Sequence, residues 1–275
     1  MKPAPFRYVL PGSVDETLEA LANASGEPKL LAGGQSLVPL LNMRLARPDV
    51  VVDLNRVAGL DFVEEANGSV RVGALVRQSA LEASTLVRDR LPLVALALPY
   101  VGHFVTRNRG TVGGSIAHAD AAAELPLCLT VLGGAVVTRS ARGERRIPAD
   151  EFFVTHFTTR LVPDELVVET VWPVLDGWSF AFEELAQRRG DFALSMAACA
   201  LRVADGRVAE ARVGVGSVVE RPTLLETELV GRVPVPGLVR VAVEPFGTVH
   251  ASAAYLRHLT GVLVERAVLR AWRNA

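Results

Sequence analysis

Two glycine-pair stretches constrain this chain more than anything else in it. One is Leu31-Ala32-Gly33-Gly34-Gln35-Ser36-Leu37; the other, further on, is Thr111-Val112-Gly113-Gly114-Ser115. Each pair is followed by a small or amide polar residue, and each stretch lies next to an apolar run. A glycine pair reaches positive φ at no steric cost and lets another molecule approach the backbone closely. Successive main-chain N–H groups in such a turn form a concavity for an anion, especially beside a helix start. Neither stretch contains a lysine, so a diphosphate here would be held by backbone and hydroxyl donors. Either stretch alone reads as an ordinary tight turn. Together, with matching flanks, they point to a nucleotide cofactor.

The remainder of the chain narrows that reading. Its 275 residues can bury a sizeable core and suit two or three domains better than one. A formal net charge of −1 argues against a nucleic-acid or polyanion partner held by bulk electrostatics. Lys2 and Lys29 are the only lysines, which nearly excludes a phosphate-gripping lysine. Cys128 and Cys199 sit in apolar runs without metal-ligand spacing and read as buried, inert thiols. No apolar run approaches membrane-spanning length, and residues 1–5 lack a signal peptide's apolar core. The expectation is a soluble, cytoplasmic protein.

Taken in order, residues 7–10 read as a short strand stopped by Pro11-Gly12. Ser13 and Glu16 have capping-box spacing and open an amphipathic helix that runs to about Ser25. Residues 29–31 read as a buried strand entering the first glycine stretch. Residues 37–41 read as a helical segment with Pro39 in its first turn, and 50–54 as another strand. This makes residues 1–55 a βαβ-like lobe. In the middle section, 56–175, residues 69–73 form a half-buried strand, and Ser79 with Glu82 repeats the capping-box spacing. Residues 91–98 read as a core helix, Asp120 as the cap of a helix carrying Glu124 in its first turn, and 135–147 as a hairpin. From 176 to 275, the pair Asp205-Gly206 marks a strong hairpin, and a long helix begins near Ser252 with Leu256, Leu259, Leu263 and Ala267 on one face.

Standard cofactor devices are missing. Gly214-Val215-Gly216 lacks the third glycine of the dinucleotide fingerprint, and no Gly-Lys-Ser/Thr phosphate loop occurs. The five histidines are scattered without ligand spacing. His118 is the exception to watch, because it follows the second glycine stretch within a few residues.

The two stretches resemble the paired flavin signatures of the FAD-binding medium subunits of molybdenum hydroxylases, the family of carbon monoxide dehydrogenase medium subunits and of the flavin domain of xanthine dehydrogenase. Arg107-Asn108-Arg109-Gly110 and Ala117-His118-Ala119-Asp120 resemble the surroundings of the second signature. Arg189-Gly190-Asp191-Phe192-Ala193 resembles the start of the C-terminal domain, and residues 251–257 its last helix. The resemblance covers nearly the whole chain. It implies an α+β, two-lobed FAD-binding fold: a small N-terminal βαβ-like lobe and a larger α/β middle domain, followed by a C-terminal α/β domain of antiparallel strands and helices. The FAD diphosphate would lie between the first two domains. Residues 31–37 and 111–115 would bind phosphate and ribityl oxygens, Val101 and Leu161 would give apolar contacts, and Glu124 would hold sugar hydroxyls. Phe192 would either cover the isoalloxazine or belong to the core, and Glu124 would either bind FAD or only place charge at a helix start. The chain departs from the family pattern at Glu124, where aspartate is commoner, at Ala121, where proline is, and at Ser115, where asparagine or aspartate is. Glu183 stands where some relatives have a basic residue near the flavin.

The function so implied is that of an electron-transferring flavoprotein subunit. FAD would take electrons from an iron–sulfur small subunit, beside a molybdopterin large subunit, and pass them to an external acceptor. Two cysteines cannot hold an iron–sulfur cluster, which usually takes four thiolates. Two alternatives stand beside this reading: a self-contained two-lobed FAD oxidoreductase with its own organic substrate, for which no substrate-side acid or base can be named, and a nucleotide-binding scaffold without turnover.

Overall fold

A computed structural model describes residues 2–239 and 241–275. The chain opens with β1 (Arg7–Val9), α1 (Val14–Ala22), β2 (Pro28–Leu31), α2 (Leu37–Asn42) and β3 (Val50–Asp53). These strands form an all-parallel sheet in the order β1-β3-β2. The capping box at α1 is present: Glu16 N–H donates to the Ser13 hydroxyl at 3.1 Å, and the Glu16 carboxylate accepts from Gly12 N–H at 2.7 Å. The helix stops at Ala22, three residues short of expectation. β2 is an edge strand with Lys29 exposed, so it is half-buried and not buried as expected.

The middle of the chain runs through β4 (Val63–Ala66), β5 (Ser69–Gly73), α3 (Gln78–Ala83), α4 (Thr85–Arg90), α5 (Pro92–Ala97), α6 (Phe104–Arg107), α7 (Val112–His118) and α8 (Glu124–Leu132). It continues with β6 (Ala135–Ser140), β7 (Gly143–Pro148), α9 (Ala149–Phe152), β8 (Phe153–Thr155), β9 (Thr158–Thr159) and β10 (Leu166–Pro173). Five of these strands make an antiparallel sheet, β4-β5-β10-β6-β7, with the apolar strand β10 at its centre. β4 pairs with β5 across Asn67 and Gly68, both at positive φ, a hairpin whose Asn-Gly signal the sequence carries. The capping box at Ser79 and Glu82 is not formed. Both residues lie inside α3, whose N-cap is Arg77, and Glu82 instead pairs with Arg107 at 2.7 Å. The serine that caps is Ser84, at the start of α4.

The last part contains β11 (Trp178–Ala186), β12 (Ala193–Ala204), β13 (Arg207–Gly216), β14 (Thr223–Leu224) and α10 (Ala253–Arg273). The strands form an antiparallel sheet in that order, with Asp205 and Gly206 both at positive φ in the β12–β13 turn. Ser252 caps α10 by accepting from Tyr255 N–H at 3.2 Å, and Leu256, Leu259, Leu263 and Ala267 are buried against β11 and β12. Every residue of α8 is buried, because it is covered by α5 on one side and by β12 and β13 on another. Among the described residues no helix is long and apolar enough to cross a membrane.

Candidate functional site

The first glycine stretch leaves the edge strand β2 and turns sharply into α2. Gly34 has φ +73°, which only glycine adopts without strain. Gly33 does not have positive φ; its lack of a side chain serves close approach, since a Cβ there would lie 2.9 Å from Gly110 Cα and closer still to the Arg109 carbonyl oxygen. None of the N–H groups of Gly33, Gly34, Gln35 and Ser36 meets an acceptor among the described residues. A row of unsatisfied main-chain donors is a site for an anion. Gln35 folds its amide back onto the Gly33 carbonyl at 3.3 Å.

The second stretch is not a turn. Thr111 is the N-cap of α7, and Gly113 and Gly114 sit in the helix's first turn at negative φ. Its leading N–H groups are already used. Val112 donates to Val76 O at 3.0 Å, Gly113 to Ala74 O at 2.9 Å, and Gly114 to the Thr111 hydroxyl at 3.1 Å. The glycines are required by packing: a Cβ on Gly113 would lie 2.5 Å from Ala74 Cβ, and one on Gly114 would lie 2.7 Å from Thr111 Oγ1. That same Cβ on Gly114 would be in van der Waals contact with Ala32, at 3.7 Å. The two stretches, some eighty residues apart in sequence, therefore lie side by side. The free backbone donors come from the first.

Around this contact lies a cleft of about 400 Å³, lined by Leu31 to Gln35, Asp53, Asn55 and Arg109. Sequence reasoning missed the last three. Asn55 donates to Ala32 O at 3.0 Å and accepts from Arg77 at 2.5 Å, while Arg77 also donates to the Arg109 carbonyl. This network ties the N-terminal lobe to the loop before α7. Asp53 accepts from the Tyr8 hydroxyl at 2.5 Å and from Asn55 N–H at 2.9 Å. Burial would raise its pKa, but those hydrogen bonds and the Arg109 charge outweigh it and hold the carboxyl below its ordinary value.

A second group of predicted residues gathers at the other end of the Arg107–Gly110 segment. Glu124 is the first residue of α8 and only 7% exposed. Burial pushes its pKa up to about 7, against its own backbone N–H and Arg107, with Asp120 adding to the rise. The side chain is thus a buried carboxyl in the first turn of α8. Asp120 does not cap α8; it accepts from Ala122 N–H at 2.9 Å in a local turn, and the N-cap position is held by Ala123. Val101 is buried, and its carbonyl accepts from Arg107 at 3.0 Å. The loop after β11 folds back at Gly190, where a Cβ would lie 3.1 Å from Gly102 O, beside Val101. On that loop Phe192 is 75% exposed, so the core reading of this ring is overturned. Glu183 turns away towards α10 and pairs with Arg270 at 2.9 Å. Burial first, and the Glu124 charge second, raise the pKa of its neighbour Glu184, which sequence reasoning passed over, to about 8.

Not every predicted residue joins these groups. Ser36 and Leu37 start α2 just beyond the lining of the cleft, and the Ser36 side chain makes no cap hydrogen bond. Leu161 packs half-buried on the main core, outside the cleft. Ser115 is half-exposed on α7. His118 ends that helix with its ring 4.8 Å from Phe157; burial lowers its pKa, Asp120 works against that and His156 with it.

The family described as "FAD binding domain in molybdopterin dehydrogenase" matches residues 4–175, and "CO dehydrogenase flavoprotein C-terminal domain" matches 180–271. The chain belongs to this family. It is 40% identical to the 6-hydroxypseudooxynicotine dehydrogenase complex subunit alpha of Paenarthrobacter nicotinovorans, over 100% of this chain and 97% of the relative. A chain of carbon monoxide dehydrogenase from Hydrogenophaga pseudoflava superposes with a TM-score of 0.96 at 32% identity, covering 100% of both. A chain of quinoline 2-oxidoreductase from Pseudomonas putida 86 superposes at 0.93 with 33% identity, covering 99% of both. The fold expected from the resemblance, two lobes followed by an antiparallel C-terminal domain, is the one observed. This medium-subunit chain is an FAD-binding oxidoreductase subunit. Full-length matches to subunits of complexes set aside both the self-contained enzyme and the scaffold without turnover.

The residues present fit FAD. Four N–H groups in a row, without acceptors among the described residues, suit its diphosphate. When bound, FAD supplies the capacity to take up and release electrons, while the protein supplies position and electrostatics.

Proposed function

We propose that this chain holds FAD across both groups of residues and relays electrons through it, from an iron–sulfur small subunit of a molybdenum hydroxylase to an external acceptor. A molybdopterin large subunit would carry the substrate chemistry. The observation that carries the reading is the row of four unsatisfied N–H groups in the first glycine stretch, with the second stretch beside it. In this reading Gly33, Gly34, Gln35 and Ser36 donate to the diphosphate, and Thr111 and Ser115 add hydroxyls. Leu31 and Ala32 shape the cleft, and Glu124 accepts from sugar hydroxyls. Val101 gives apolar contact, and Phe192, exposed on its loop, covers the ring. The domains would then run 1–55, 56–175 and 176–275, with FAD between the first two. Two free, buried cysteines suit a reducing, cytoplasmic setting.

The test is to titrate apo-protein with FAD. We expect one FAD per chain, and little FAD on a folded Gly34→Val variant, whose side chain would force an unfavourable φ in the donor turn. A fully flavinylated Gly34→Val protein of normal stability overturns the assignment of the diphosphate.

A further inference from the structure

We propose that Arg109 is a cofactor-binding residue: its guanidinium, unpaired among the described residues, grips the diphosphate that the first glycine stretch holds by neutral N–H groups. This rests on the reading that the cleft takes the FAD diphosphate.

The backbone of Arg109 is fixed against the donor turn. A Cβ on Gly33 would lie 3.0 Å from the Arg109 carbonyl carbon, so the two backbones pack directly on each other there. The Arg109 carbonyl accepts from Arg77, and the Arg109 N–H donates to Thr106 O at 3.1 Å, which holds the residue from both sides. Arg109 is exposed, and it lines the cleft of about 400 Å³ together with Gly33, Gly34 and Gln35, three of the four residues whose N–H groups are free.

Arg77, Arg107 and Arg109 all belong to this junction, and the first two are spent. Arg107 binds Glu82 at 2.7 Å and the carbonyls of Val101 and Gly102 at 3.0 and 3.1 Å. Arg77 binds Asn55 at 2.5 Å and the Arg109 carbonyl. Arg109 enters these contacts through its backbone alone, and its guanidinium meets no acceptor among the described residues. The carboxylate lining the cleft, Asp53, is taken by the Tyr8 hydroxyl at 2.5 Å and by Asn55 N–H at 2.9 Å. FAD brings two phosphate charges into a cleft that already holds this carboxylate, and N–H groups set only partial charges against them. A guanidinium supplies the missing full charge. Its planar fork matches two phosphate oxygens at once, in hydrogen bonds about twice as strong as neutral ones.

The experiment is the dissociation constant of FAD on the full chain over a salt series, for the parent, Arg109→Gln and Arg109→Lys, with circular dichroism as the check on folding. Arg146→Gln, on the exposed edge strand β7, is the control for net charge. Arg109→Gln loses a charge-assisted pair and binds FAD roughly ten- to hundredfold more weakly, with a shallower salt dependence than the parent. Arg109→Lys, a point charge without the fork, falls between the two and keeps the salt dependence. The phosphorus NMR resonances of FAD bound to Arg109→Lys move from their positions in the parent, while the flavin absorption spectrum stays the same. Arg146→Gln matches the parent. Parent-like affinity and salt dependence in Arg109→Gln overturn the proposal, as do unmoved phosphorus resonances in Arg109→Lys. An equal loss in Arg146→Gln overturns it as well, because net charge is then the cause. Any of these with a parent that binds one FAD per chain sinks this inference alone, whereas a parent that binds no FAD at any salt sinks the reading of the cleft with it.

Discussion

Burying Glu124 and Glu184 costs the chain stability near neutral pH. Both are carboxyls held well above their ordinary pKa of 4.5, at about 7 and about 8. Across that window the native protein keeps protons that the unfolded chain has already released. Linkage then requires stability to fall as pH rises from about 4.5 through 8. Urea denaturation of the apo-protein is expected to give a lower midpoint at pH 8.5 than at pH 5.5, with a smaller drop for Glu184→Gln. Removing the Glu124 carboxylate should cost charge-assisted bonds of roughly 1.5–3 kcal/mol, about ten- to hundredfold in FAD affinity. Glu124→Ala is therefore expected to bind FAD that much more weakly, with Glu124→Gln intermediate. An FAD titration in which both variants match the parent removes Glu124 from the site.

At the scale of the element, the four glycines separate into two kinds, and their variants should separate in the same way. Gly34 is required by φ +73° in an exposed turn, so Gly34→Ala should cost about 1–2 kcal/mol of local strain and weaken FAD binding. Gly113 is required by packing against Ala74 in the core, so Gly113→Ala should overpack and cost about 1–3 kcal/mol of global stability. Comparing thermal melts of apo and FAD-loaded protein distinguishes them: Gly34→Ala should lose most of the stabilisation FAD confers, and Gly113→Ala should lower both melts alike. The C-terminal helix offers a control remote from the cleft. Ser252 caps α10 through Tyr255 N–H, and Ser252→Ala should cost about 1 kcal/mol with FAD affinity unchanged.

On the scale of the whole molecule, the N-terminal lobe and the middle domain meet through a small set of polar contacts at the cleft. Asn55 and Arg77 bridge Ala32 to the loop before α7. Arg77→Ala should loosen that junction, and we expect weaker FAD binding with far-UV circular dichroism unchanged. A chain whose task is to relay electrons should also be inert alone. Expressed by itself it is expected to bind FAD and to hydroxylate no substrate; robust hydroxylation by the isolated chain would move a self-contained enzyme to first place.

Local chemistry alone determined a good part of this protein. The capping box at Ser13, the Asp205-Gly206 hairpin, the positive φ of Gly34 and the apolar face of the last helix are all decided within a few residues, by hydrogen-bonding range, φ preference or helical period. The same local rules misled wherever a short spacing had a stronger distant partner. Ser79 and Glu82 have capping spacing, but Glu82 is drawn to Arg107, and Asp120 satisfies Ala122 instead of α8. Only the tertiary structure decided that the second glycine stretch spends its N–H groups on Ala74 and Val76, leaving the anion-binding donors to the first. It also brought Asp53, Asn55 and Arg109 to the cleft and paired Glu183 with Arg270 of α10. These are facts of strand alternation and long-range packing. They depend on which elements become neighbours, and that is set by how the whole chain buries its apolar faces.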